Sequence, residues 1–297
     1  MNKIIVSGAL FDKSYGILSV INCSSHSMTI ESEHIIEHPY PEIAIIGKGI
    51  TGIAVDGSHV WACFSNVIVK INLDEFSIVD TITDVCFNDL HSITIHDNHL
   101  YVANTGNESI DIINLQNKKL ERFDFLGGHL RNIRPNYSQD QDTKPHIHHI
   151  SCVTINDEDE LIVGLVRQQR TLNLSKWKWL SAKESSPLHD VEFIDGRIWY
   201  TTVGGEISNS EQTWKLSDYQ STLGWTRGLA VIDHGMYVGT TAIRESNHNY
   251  YEIITDSTTK NTGAKICYIP FSNEDLSVEI ELPNAENRKV FSIELLD

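Results

Sequence analysis

The feature that most constrains this chain is one phrase written four times without a gap: Thr51–Ala62 (TGIAVDGSHVWA), His91–Val102 (HSITIHDNHLYV), His189–Tyr200 (HDVEFIDGRIWY) and Arg227–Val238 (RGLAVIDHGMYV). Each copy is an alternating apolar strand, a tight polar turn and a second strand. The first column holds Thr51, His91, His189 and Arg227, and the second (Gly52, Ser92, Asp190, Gly228) is small or acidic. A looser copy starts at Ser151 and needs one extra residue in its turn. A unit of this kind cannot bury its apolar face alone, so recurrence implies stacked copies sharing a core.

Around the repeat the chain supplies about four strands per copy, as in a propeller blade. Strands are expected at Gly52–Val55, Val60–Phe64, Val67–Leu73 and Ser77–Ile82, and the next copy repeats the plan through Phe125. The ends of the sequence fit each other. Reading SIELLD into MNKIIVSG matches SITIHD into NHLYVAN at Ser92–Asn104, so the C-terminal strand should be the inner strand of the N-terminal blade. Steps between equivalent positions are 40, 60, 38, 38, 64 and 57 residues, which together use all 297. The expectation is an all-β, six-bladed β-propeller with four-stranded antiparallel blades, one domain over 1–297, closed by the C-terminal strand. Trp61, Tyr101, Trp199 and Tyr237 share one slot and are expected to pack between blades.

Composition excludes several functions. A net charge of −17 opposes nucleic acid, whose phosphates need a basic face, and opposes an anionic membrane surface. Five scattered cysteines without a CxxC pair indicate neither a disulfide framework nor a zinc module. No apolar stretch approaches the roughly 20 residues of a membrane span, and the short N-terminal run is not a signal peptide. The cytoplasm is the expected compartment.

In a propeller the inner strand of each blade starts on one rim of the central channel. Links between blades and the turns between second and third strands lie on that rim too. The long insertions 37–48, 126–147 and 244–262 fall in those connections, so they should crowd the face where Thr51, His91, His189 and Arg227 begin their strands. His149 in KPHIHHIS joins this set two residues before Ser151. Three imidazoles, His91, His149 and His189, at a channel mouth would suit a divalent transition metal such as zinc or iron. They would equally serve as acid–base groups, or bond backbone carbonyls and fasten blades. Arg227, Arg244 and Arg167, with Asn104 and Thr51, would contact the substrate, the guanidiniums favouring carboxylate, phosphate or sulfate. Strand alternation points Asp190 away from His189, so no dyad is expected there.

The phrases GIAVDGSHVW, HSITIHDNHLYVANTGNESIDIINL and HDVEFIDGRIWY resemble the six-bladed propellers of the gluconolactonase, strictosidine-synthase and NHL-repeat group. HHISCV and WTRGLAV…YVGTT are similar to uncharacterised bacterial propellers. Gluconolactonase-type members hold a divalent cation through a set whose Glu opens an EGPxW motif. This chain departs from it, with Thr51 or Phe291 at the corresponding positions. The function expected from residues and resemblance is an enzyme of hydrolase, lyase or isomerase type, acting on a small polar anionic metabolite at the channel mouth. The alternative is a non-catalytic propeller that binds a protein or ligand on the same face.

Overall fold

The computed structural model describes residues 2–24, 26–125, 139, 147–181, 184, 186–220, 224–244, 247, 249, 252, 262–272 and 276–296. Six four-stranded antiparallel sheets make six blades. The first holds β1 (Asn2–Leu10), β2 (Gly16–Cys23) and β3 (Met28–Ile36); the second holds β4 (Gly52–Asp56), β5 (His59–Cys63), β6 (Ile68–Asn72) and β7 (Ser77–Ile82). The third is β8 (Leu90–His96), β9 (His99–Asn104), β10 (Ser109–Asn114) and β11 (Leu120–Asp124). The fourth is β12 (Ile150–Ile155), β13 (Leu161–Leu165), β14 (Arg170–Asn173) and β15 (Lys178–Trp179). The fifth is β16 (Leu188–Ile194), β17 (Arg197–Thr202), β18 (Glu206–Ser208) and β19 (Thr213–Lys215). The sixth is β20 (Trp225–Ile232), β21 (Gly235–Thr241), β22 (Lys265–Pro270) and β23 (Val278–Glu281), after which β24 (Arg288–Leu296) returns to the first blade.

The repeat dictates the hairpins. In β8–β9 the pair His96 and His99 closes a two-residue loop whose Asp97 and Asn98 both have positive φ (43° and 59°). Asp195 and Gly196 do the same between β16 and β17 (51° and 74°). These are the left-handed turns that match strand twist, and the Asn and Gly of the phrase make them accessible. The fourth blade pairs Ile155 with Leu161, so its loop is longer, as the looser copy required.

Apolar residues alternate toward both faces of each sheet and meet the neighbouring blade. All six junctions carry a buried cluster, one per pair of adjacent blades. Trp61, Trp199 and Tyr237 are buried in three of these junctions, as their shared slot implies, while Tyr101 is half-buried against a fourth.

β24 pairs with β1 in antiparallel register, Leu295 opposite Ile4 and Arg288 opposite Leu10. Arg288 is wholly buried; its guanidinium donates to Glu33 Oε2 at 2.5 Å and Ser19 Oγ at 2.7 Å, tying the returning strand across the blade. A buried cation held by a carboxylate and a hydroxyl keeps its desolvation compensated. All five cysteines are free, four of them buried. Among the described residues no helix is long and apolar enough to cross a membrane.

Candidate functional site

The inner strands β4, β8, β12, β16, β20 and β24 run from the channel mouth to the turn end. In five of them the ladder to the neighbouring strand slips by one residue just inside the mouth. The slip falls at His91 in β8, Ser151 in β12, within His189–Asp190 in β16, within Arg227–Gly228 in β20, and at Phe291 in β24. A bulge sets two residues against one, breaks alternation and re-aims side chains. The repeat's first column is thus the bulged column.

The bulge corrects the expectation for Asp190. His189 Nδ1 lies 3.3 Å from Asp190 Oδ1. The other carboxylate oxygen accepts the Thr201 hydroxyl at 2.7 Å and the Gly228 N–H at 3.0 Å. Adjacent residues share a side because the extra residue abolishes the half-turn between them. A carboxylate on Nδ1 fixes the tautomer with its proton there and leaves Nε2 as the basic nitrogen. His189 is 5% exposed, and among the described residues its Nε2 has no hydrogen-bond partner.

Two cavities meet at the mouth. The outer one, about 400 Å³, is lined by Thr51, His91, His149, Arg227 and Phe291, with Lys48, Arg244 and Lys289 at its sides. The inner one, about 230 Å³, is the channel itself, lined by Ser92, Thr94, His189, Asp190, Glu192 and Glu294 among others. His91 and Phe291 line both. The His91 ring centroid is 5.1 Å from that of His149 and 6.3 Å from that of His189, so His91 links the outer space to the inner.

His91 repeats the logic of His189, its Nδ1 lying 3.1 Å from the Asp89 carbonyl oxygen. Burial pulls the His91 imidazole down to about 3; Asp89 opposes this, and Lys48 and Arg227 add to it. His189 is likewise lowered, first by burial and then by Arg227. Both rings are therefore neutral at pH 7. Burial pushes the Asp190 carboxyl up, but His189, Thr201 and Arg227 together hold it below the usual value, so it stays ionised. Burial lowers Arg227 to about 10 against the pull of Asp190 and Asp89, which leaves it a cation. Its guanidinium lies 5.1 Å from the Phe291 ring centroid, and its Nε has no hydrogen-bond partner among the described residues. Lys48 pairs with buried Asp89 at 2.6 Å. His149 has a left-handed backbone (φ 53°) and is held by Glu108, whose carboxylate accepts the N–H groups of His148 and His149 at 3.1 and 3.2 Å. Deeper in the channel, burial raises Glu192 and Glu294, Glu294 to about 8.

The sequence-expected residues separate into three groups. His91, His149, Arg227 and Arg244 share the outer cavity, and His189 faces the inner one. Thr51 lines the outer wall, but its hydroxyl lies 2.5 Å from the Leu90 carbonyl oxygen and bonds the next blade. Asn104 and Arg167 line neither cavity. Asn104 is fully buried, its amide donating to Cys86 O and Asp111 Oδ2 at 2.9 and 2.8 Å, which fastens the third blade. Arg167 sits exposed in the β13–β14 turn.

Insertion 37–48 reaches the cavity through Ile46 and Lys48, and 244–262 through Arg244 and Asn247, so these two share the rim with the strand starts. Of 126–147, Gln139 bonds Asn66 and Asp84; most of that insertion and of 244–262 lies outside the described residues. Sequence reasoning missed Lys48, Lys289 and Glu108, which no repeat column marks. It also missed Asp190 as a partner of His189. The small-or-acidic second column was the available signal for that, since a bulge favours such residues. Among the described residues, the one group of three possible metal ligands with donor atoms all within 4.8 Å is His96, Asp97 and Asp159, at the other end of the channel; the rim histidines do not form such a group.

No protein-family model matches the chain, and no curated protein matches it. Solved structures do. A Bacteroides caccae protein of unknown function aligns with TM-score 0.63 at 12% identity, over 99% of this chain and 98% of its own. A candidate 6-phosphogluconolactonase from Bacteroides fragilis aligns with TM-score 0.54 at 10% identity, over 100% and 98%. Streptogramin B lyase aligns with TM-score 0.53 at 10% identity, over 95% and 88%. At these identities the likeness establishes the propeller fold.

Proposed function

We propose that the channel mouth binds a small anionic metabolite and acts on it by general-base chemistry, of hydrolase, lyase or isomerase type. The observation that carries this reading is His189: Asp190 holds its Nδ1, while among the described residues Nε2 is buried and unpartnered, within the electrostatic reach of the cationic Arg227. In that arrangement Arg227 fixes a carboxylate or phosphate through paired N–H bonds. His189 Nε2 then takes a proton from a carbon, hydroxyl or water of the bound molecule, and Asp190 stabilises the imidazolium that forms. The His189 imidazolium then returns that proton to the product or leaving group, and His91 lines the passage between the two cavities. The neighbouring propellers include a candidate lactonase and a lyase, reaction types that a placed base can serve; the support comes from the site rather than from the likeness.

A metal held by His91, His149 and His189 is the weaker form of the proposal, because Lys48, Arg227 and Lys289 crowd the same mouth and oppose a further cation. A protein-docking role is favoured least, since the exposed Trp177 and Trp179 do not line the mouth cavity.

The test is a thermal-shift screen of carboxylated and phosphorylated metabolites, followed by turnover assays on the hits. An anion at 100 times its Kd should add about 2.7 kcal/mol of stability. His189→Gln should keep binding and lose turnover, and Arg227→Met should lose binding. Turnover that survives His189→Gln would defeat the assignment.

A further inference from the structure

The turn end of the inner strands carries a second cluster. His96 ends β8, Asp97 opens the β8–β9 turn, and Asp159 stands in the β12–β13 turn of the next blade. His96 Nε2 lies 2.8 Å from Asp159 Oδ1 and 3.7 Å from Asp97 Oδ2, so one ring nitrogen points between two carboxylates from different blades. The three donor atoms all lie within 4.8 Å of one another. A cation bonded at about 2.0–2.2 Å to one nitrogen and two oxygens fits inside such a triangle. Both carboxylates also act on the half-buried Tyr101, whose phenol they raise after burial, so their fields converge beside this hairpin. The side chain of His96 is 32% exposed and those of Asp97 and Asp159 are 84% and 76%, which leaves room for water on the remaining coordination positions.

We propose that His96, Asp97 and Asp159 form a divalent transition-metal site, with zinc the best match, that clips the third blade to the fourth. An imidazole with two carboxylates selects a borderline cation over calcium or magnesium, which take all-oxygen sets. Exposure makes the affinity modest, and strand order keeps the site apart from the mouth: His91 and His96 occupy opposite ends of β8, roughly 16 Å apart at about 3.3 Å per residue. The proposal is thus independent of the proposed reaction.

The experiment is calorimetric titration of tag-free, full-length protein with zinc chloride, alongside thermal melts with and without zinc. Wild type should bind an equivalent that raises the melting temperature. His96→Ala and Asp159→Asn should each lose one equivalent and the zinc-dependent shift while melting normally without zinc. The assignment is overturned by wild type that takes up no zinc, or by an unchanged stoichiometry in both variants.

Discussion

The two ends of the inner strands carry different information. At the turn end four hairpins close on two-residue loops with their ladders in register, and two of them, at Asp97–Asn98 and Asp195–Gly196, carry a left-handed pair. At the mouth the same strands slip by one residue in five of six blades, and the slips present His91, Ser151, His189, Arg227 and Phe291. Regular pairing satisfies every backbone group, so the turn end is where fold is specified. The bulge gives up part of that pairing and gains a side chain directed at the channel. Stability should therefore be sensitive to geometry at both ends, while individual mouth side chains contribute to function and little to stability.

The largest effect should come from removing β24, which spans both ends. Val290, Ile293 and Phe291 are buried, and side chains of this size contribute about 1.5–3 kcal/mol each. A chain ending at residue 287 should lose cooperative unfolding in a thermal melt; a sharp transition near the full-length temperature would break the closure argument.

Two glycines sharpen the comparison. Gly196 (φ 74°) has open space where a Cβ would point, whereas at Gly228 (φ 80°) a Cβ would lie 2.8 Å from Ile293 Cγ1. Gly196→Ala should cost about 1 kcal/mol, from backbone preference alone. Gly228→Ala adds overpacking and disturbs the N–H that Asp190 accepts, for about 2–4 kcal/mol in all. Urea denaturation of the two variants reads the difference directly, and equal losses would mean the bulge is not a constrained element.

A smaller effect follows from pH. His91 and His189 bind protons less readily folded than unfolded, where the usual value is 6.5. As pH falls below that value the unfolded chain takes up protons first. Stability from this source is complete above it and declines toward the folded His91 value of about 3. Each histidine contributes at most about 1.4 kcal/mol per pH unit. Melts at pH 7.5 and 5.5 should show a destabilisation that His91→Gln reduces; an unchanged slope would place the titration elsewhere.

The smallest stability effect is expected for Arg227→Met. The half-buried Arg227 carries a desolvation cost and its Nε has no partner among the described residues, so an apolar chain of similar length removes that cost while keeping most of the packing. The variant should melt within about 1 kcal/mol of wild type, or above it, while losing anion binding. A large destabilisation would make Arg227 a fastener.

The repeat made the blades, their number and the closing strand legible, because alternation and turn residues act locally and recur. GIAVDG and HSITIHDN announce the same hairpin wherever they stand. The clustering of His91, His149 and Arg227 followed from register. What stayed hidden depended on single inserted residues and on partners far apart in sequence. Asp190 turns toward His189 through a bulge that alternation denies, and Asn104 looked like a rim ligand yet bonds inward to Asp111. Lys48 and Glu108 act through Asp89 and the backbone of His149, residues about forty positions away.

The most direct test is a crystal structure of the protein soaked with tungstate, a tetrahedral dianion with strong anomalous scattering. The expected result is an anomalous peak within hydrogen-bonding distance of the Arg227 guanidinium, in the outer cavity beside His91. Tungstate found only on the outer surface, with Arg227 bonded to a carboxylate of its own chain, would contradict an anion site at the channel mouth.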